Sequence, residues 1–190
     1  MRPAAFNVRL PIAVNMDAVY AKARNIRLAV FDVDGVMTDG ALYLTDGGEE
    51  IKAFNSRDGH GMKMLQDSGV EIALLTGRTS RCVELRAQNL GIKRVLQGVS
   101  DKGRVFTELL AAAKIEAKMA AYMGDDVVDL PALLQCGLAL TVPDAPLPVK
   151  RHADYVTRAH AGRGAVREAC ELIMQAQDTL ERQMAIYLKS

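Results

Sequence analysis

"IRLAVFDVDGVMTDG", residues 26–40, decides the fold. Its residues 28–31 form a continuous apolar run, the pattern of a strand covered on both faces rather than one with a wet side. Residues 31–40 then hold three aspartates and two glycines, a crowding of like charge that costs stability unless something compensates it. The same succession of apolar run and turn recurs at "EIALLT" (71–76), "KRVLQG" (93–98), "AAYMG" (120–124) and "LALTV" (138–142). Between the runs lie helix-like stretches: "GHGMKMLQDSG" (59–69), "RTSRCVELRAQNLG" (78–91), "KGRVFTELLAAAKI" (102–115) and "DVVDLPALLQCG" (126–137). Several close on Gly, which suits a helix C-terminus. Strands alternating with helices predict an α/β, doubly wound, Rossmann-like parallel sheet.

One segment departs from that alternation. "ALYLTDGGEEIKAFN" (41–55) reads as two alternating strands about a "DGG" turn, a protruding β-hairpin in place of a crossover helix. Near the end, "GAVREACELIMQAQDTLERQM" (164–184) predicts a single long helix. The expected layout is an N-terminal extension or helix over 1–24, one domain over 25–180 and a tail over 181–190.

Composition narrows the function. Lys+Arg number 24 and Asp+Glu 23, a formal charge of +1, so no global field favours nucleic acid or an anionic membrane, and anion recognition has to be local. Cys82, Cys136 and Cys170 are odd in number and form no C-x-x-C, which suits reduced thiols better than a disulfide framework. No apolar stretch reaches membrane-spanning length and no secretory h-region is seen. A cytoplasmic protein without nucleic-acid or membrane partners is expected.

Ligands of doubly wound sheets lie beyond the carboxyl ends of the strands. There the first run delivers Asp32 and Asp34, the second Thr76, Gly77 and Arg78, the third leads to Lys102, and the fourth delivers Asp125, Asp126 and Asp129. Asp32 and Asp34, two apart on an extended segment, leave the same face. One carboxylate can attack phosphorus while the other works as acid and then base. A bound Mg²⁺, which takes oxygen ligands, holds Asp32 anionic, with Asp125 as a further ligand. Thr76 and the N–H groups opening the next helix suit phosphate oxygens, and Lys102 places a compact positive charge on the reacting groups.

In order and spacing, "DVDGVMTD", "LLTGR", Lys102 and "GDDVVD" resemble the four motifs of the haloacid dehalogenase superfamily of phosphohydrolases. The resemblance implies Asp32 as nucleophile, Asp34 as acid/base and, through its backbone carbonyl, metal ligand, and Asp125 as metal ligand. It further implies Thr76 and Lys102 on the phosphoryl group, with Asp126 and Asp129 in support. The intervals between motifs leave no room for a cap domain, so a lid has to come from association, and the hairpin is the expected surface for a homo-oligomer. More narrowly, "DGALYLTDGGEEIKAFNSRDGHGM", "QGVSDK", "MGDDVVDLP" and "ADYVTRAHAGRGAVREACELI" resemble the capless phosphatases of 3-deoxy-D-manno-octulosonate 8-phosphate. This implies a Mg²⁺-dependent homotetramer of lipopolysaccharide synthesis, with Asn55, Ser56, Arg57, Asp58, Gly59, Lys63, Arg78 and Arg86 lining a sugar-acid pocket beside Asp34, Gly77 and Lys102. Arg57 and Arg78 favour the eight-carbon acid over a nine-carbon 9-phosphate. A regulatory domain that merely accepts a phosphoryl group, or an assembly domain, is the alternative.

Several residues also have plain structural readings. Asp34 and Gly35 can form a turn, Asp126 and Asp129 can stabilise a helix N-terminus, and Arg86 can be a solvated helix residue. His60 can be a hydrogen-bonded structural histidine.

Overall fold

A computed structural model describes residues 15–188. Its centre is β1 (Leu28–Phe31), every residue of which is buried. Parallel pairing sets β4 (Glu71–Leu75) on one side of β1 and β6 (Ala120–Met123) on the other. The sheet continues through β5 (Arg94–Leu96) beyond β4, and through β7 (Leu138–Thr141) and β8 (Tyr155–Val156) beyond β6, giving the order β5-β4-β1-β6-β7-β8. All five pairings are parallel. The apolar runs are unbroken because β1, β6 and β7 are buried throughout. The direction of winding reverses between β1 and β6, where a doubly wound sheet opens its ligand crevice.

The crossovers use α2 (Ser56–Asp67), α3 (Arg81–Leu90), α4 (Lys102–Ala113) and the short α5 (Leu130–Leu133) and α6 (Leu147–Lys150). Phe106 of α4 meets Tyr122 of β6 edge to face, with centroids 5.5 Å apart, which adds about 1 kcal/mol to what the buried area of the pair contributes. The hairpin consists of β2 (Tyr43–Leu44) and β3 (Glu50–Ile51), paired Tyr43 to Ile51 and Leu44 to Glu50. Among the described residues, only this hairpin intervenes between β1 and α2, and only α3 and β5 between β4 and Lys102. No cap domain is inserted at either place.

Three stretches differ from the sequence expectation. The helix expected over 164–184 is two helices, α7 (Ala165–Ala176) and α8 (Leu180–Ala185). Asp178 takes a left-handed φ of 55°, and the Gln177 side chain donates to the Ala23 and Ile26 carbonyls. That tether to another part of the chain ends α7, and amphipathic spacing within the segment gives no sign of it. The stretch 126–137 opens with a 3₁₀ turn (Val127–Asp129) before α5. Finally, α1 (Met16–Ala23) is a helix within the expected extension or helix, but it buries Val19 and Ala23 in the core of the domain expected to begin at 25. The remainder of that extension, 1–14, and residues 189–190 of the tail lie outside the described residues.

Candidate active site

The carboxyl ends of β1, β4 and β6 open onto a cavity of about 420 Å³ walled by Asp32, Asp34, Thr76, Arg78, Lys102 and Asp125, among others. Asp32 extends β1 by one residue, its N–H donating to the Met123 carbonyl. The Val33 N–H donates to its Oδ1 at 2.7 Å and Lys102 Nζ to its Oδ2 at 2.7 Å. Gly35 turns the chain with φ +81°, and a Cβ there would stand 2.1 Å from a carboxylate oxygen of Asp125. Glycine is therefore what lets the β1 loop pass against the β6 acid.

Lys102 opens α4 and is buried, its ammonium shared between Asp32 and Asp129, 2.6 Å away. Asp129 is fully buried and fully engaged. Its Oδ1 accepts from Lys102 and from the Tyr122 hydroxyl at 2.7 Å, and its Oδ2 from the N–H groups of Asp125 and Asp126 at 3.1 Å each. It thus brackets Lys102 and the β6 loop together. Burial drives the Lys102 pKa down, but attraction to Asp32 and Asp129 outweighs it, so the net shift is upward and the ammonium stays charged.

The acids are less well balanced. Burial first, and then repulsion from Asp129, push Asp32 up to about 6 against the pull of Lys102. Burial followed by repulsion from Asp32 and Asp129 pushes Asp125 to about 7. One oxygen from each of Asp32, Asp125 and Asp129 lies within 4.8 Å of the others. An all-oxygen donor set with surplus negative charge fits a hard divalent cation such as Mg²⁺. Since the Asp129 oxygens are already taken, Asp32 and Asp125 are the carboxylates placed to hold it.

On the β4 side, Thr76 is buried, with its N–H on the Leu96 carbonyl and its own carbonyl accepting from Val99. Gly77 and Arg78 follow it along the cavity wall. Asp126 is exposed and caps the 3₁₀ turn through the Val127 N–H at 2.7 Å.

The remaining sugar-pocket candidates lie outside this cavity wall, Asn55 to Gly59 at the start of α2, Lys63 further along it and Arg86 on α3. Asn55 caps α2 through the N–H groups of Arg57 and Asp58. Asp58 is buried and accepts from the N–H groups of Gly164 and Arg167 at 3.2 and 2.7 Å, so its carboxylate ties the start of α7 to α2 and does not reach the cavity. Gly59 makes room for Arg86, whose guanidinium would meet a Cβ there at 2.1 Å. Arg86 donates to the Asn55 carbonyl at 3.1 Å and lies 5.8 Å from the Phe54 ring centroid. Ser56, Arg57 and Lys63 are exposed. His60 packs edge-on against Tyr187 with centroids 5.3 Å apart.

Sequence reasoning missed Lys52. Its side chain, 1% exposed, bonds Asp34 Oδ1 and lies 3.3 Å from Glu50 Oε1. Glu50 in turn pairs with Arg78 at 3.0 Å. Strand alternation puts Glu50 and Lys52 on one face, away from Ile51, which was the available signal. The partner across the loop was not visible in the sequence.

A doubly wound sheet with an acid cluster at its switch point and a buried lysine between two of the acids defines a haloacid dehalogenase-like hydrolase, and the sequence pattern of that family matches residues 92–169. The chain is 49% identical over 165 residues to the 3-deoxy-D-manno-octulosonate 8-phosphate phosphatase KdsC of Yersinia pestis, covering 87% of this chain and 88% of that protein. The structure of the 3-deoxy-D-manno-octulosonate 8-phosphate phosphatase of Moraxella catarrhalis in complex with magnesium ion, phosphate ion and KDO superposes with a TM-score of 0.89 at 40% identity, over 90% of this chain and 99% of that one. The cobalt-bound enzyme of Haemophilus influenzae gives 0.83 at 41% identity, over 86% and 99%. The chain belongs to the 3-deoxy-D-manno-octulosonate 8-phosphate phosphatase family and is a phosphoric monoester hydrolase.

Proposed function

We propose that this chain hydrolyses 3-deoxy-D-manno-octulosonate 8-phosphate to the free sugar acid and phosphate, in lipopolysaccharide biosynthesis, through an aspartyl phosphate on Asp32. The observation that carries the reading is Asp32 itself, held at the end of the central strand by Lys102 and facing a cavity shared with Asp34, Thr76 and Asp125. Mg²⁺, when bound by Asp32, Asp125 and the Asp34 backbone carbonyl with Asp126 and Asp129 in support, supplies positive charge that offsets repulsion between nucleophile and phosphate. Asp32 attacks phosphorus as the bond to the sugar oxygen breaks, and Asp34 gives that oxygen its proton. Asp34 then takes a proton from the water that attacks the aspartyl phosphate, which releases phosphate and restores Asp32. Lys102 neutralises charge on the nucleophile and phosphoryl oxygens, and Thr76 with the Gly77 N–H binds those oxygens.

Arg78, on the cavity wall, is placed to form a bidentate pair with the sugar carboxylate. Asn55, Ser56, Arg57, Gly59, Lys63 and Arg86 complete the sugar pocket in an assembled oligomer. Leu42, Tyr43, Leu44 and Ile51 of the hairpin are between 49% and 62% exposed, apolar surface that supports a homotetramer. No helix among the described residues is long and apolar enough to cross a membrane. The single domain, expected over 25–180, also takes in α1, whose Val19 and Ala23 are part of its core, and its site of action is taken as cytoplasmic.

The test is kcat/KM for the 8-phosphate beside a nine-carbon sugar acid 9-phosphate and a simple sugar phosphate, with and without Mg²⁺. A metal-dependent preference for the eight-carbon acid by orders of magnitude is expected. Equal, poor turnover of all three overturns the substrate.

A further inference from the structure

Lys52 lies outside the set of residues that face the phosphate, yet it is among the most enclosed charges of the molecule. A lysine that is 1% exposed is stable only when paired, and its partners are the Asp34 carboxylate and Glu50. Asp34 depends on the pairing as well. Oδ1 is taken by Lys52, whereas Oδ2 is buried and accepts no hydrogen bond, with Arg78 Nε 4.0 Å away. The side-chain hydrogen bond that orients this carboxyl group therefore comes from the hairpin.

We infer that Lys52 is a positioning residue for the acid/base step, setting the Asp34 carboxyl group against the leaving oxygen. This rests on the acid/base role proposed above for Asp34. The hairpin is otherwise weakly anchored: its strands are two residues each and its apolar side chains face outward. Lys52 is the pin that couples it to the chemistry. Glu50 holds the ammonium from the other side and is itself held by Arg78 at 3.0 Å and near Cys82, whose thiol lies 3.4 Å from the Glu50 carbonyl. Through this chain of contacts, the placement of the hairpin sets the placement of Asp34.

The role has a signature that loss of structure does not share. A sugar alkoxide leaves only with a proton, whereas an aryl oxide of low basicity leaves without one. Lys52→Met keeps the length of the side chain and removes the ammonium. With Mg²⁺ saturating, kcat/KM for the sugar-acid phosphate, which reports the steps up to departure of the leaving group and not the later hydrolysis of the aspartyl phosphate, should fall about 10- to 100-fold, within the range that general acid catalysis supplies, while kcat/KM for p-nitrophenyl phosphate changes little. Lys52→Arg should recover part of the loss. Glu50→Gln, which loosens Lys52 without leaving a buried charge unpaired, should show the same leaving-group bias at smaller size, and it decides the matter if Lys52→Met does not fold. Equal losses on both substrates, or no loss on either, overturns the inference. A wild-type enzyme that turns over neither substrate overturns the phosphatase reading itself, and this inference with it.

Discussion

Asp32 carries two demands that a single substitution separates. Asp32→Asn removes the proposed nucleophile and also one of three clustered acids that repel each other. Turnover should fall at least about a thousandfold, while the fold persists and Mg²⁺ no longer raises the melting temperature. Circular dichroism and a thermal shift titration check this, and ordinary activity in the variant would remove Asp32 from the mechanism. Gly35→Ala tests the metal cradle from the other side. At φ +81° with Asp125 2.1 Å from the new Cβ, it should cost about 1–2 kcal/mol from the backbone alone. It should also weaken Mg²⁺ binding measured by calorimetry without substrate. At this scale Asp32, Thr76 and Asp125 were legible as a cluster, because each closely follows an apolar run. Lys52 was not, since its meaning depends on a loop that brings residue 52 onto residue 34. Asp58 illustrates the opposite error: a carboxylate in a promising motif is spent on the start of a distant helix.

Among the elements, α7 is fastened by two carboxylates rather than by a cap of its own. Asp58 accepts from its first turn, and Glu168, on that turn, accepts from the Tyr155 hydroxyl and from the N–H groups of Arg158 and Ala159 at 2.7 to 2.9 Å. Burial alone would raise the Glu168 pKa, but these hydrogen bonds outweigh it and hold it below the usual 4.5. A carboxylate depressed on folding stabilises the folded state above its unfolded pKa, and that contribution fades as pH falls through the folded value. The melting temperature of Glu168→Gln should therefore lie below that of the wild type at pH 7, and the gap should narrow below about pH 4.5. A gap that is constant with pH would mean that packing, not ionisation, is lost. Asp58→Ala should cost about 1–3 kcal/mol in urea unfolding, because it strands two part-buried N–H groups. Element positions were legible where periodicity ran long. The two-residue β8 and the break at Asp178 were not, being fixed by the ladder to β7 and by the Gln177 tether.

Across the whole molecule, the exposed apolar face of the hairpin is the feature a monomer explains least. Replacing Tyr43 and Leu44 by Asp should leave the folded domain intact and shift it to a smaller species in light scattering. Activity on the sugar-acid phosphate should fall with assembly, because the hairpin also carries Lys52. An unchanged oligomer would exclude this face as the interface. The doubly wound fold itself was legible from the alternation of apolar runs and helix-like stretches. Of the proposed association, one chain displays only the exposed apolar side chains of the hairpin.

The central position of β1 has a further consequence, for the order in which the protein can be made. This first strand of the sheet pairs with β4 and β6, its Leu28 aligned with Glu71 and with Ala120. A chain emerging from the ribosome thus exposes this apolar strand, and Asp32 behind it, long before either neighbour exists. Such non-local pairing slows folding and leaves hydrophobic strand edges open to other chains in the meantime. Nascent chains that stop short of β6 should be captured by holdase chaperones or aggregate, and the catalytic residues should come together only in the late stages of synthesis.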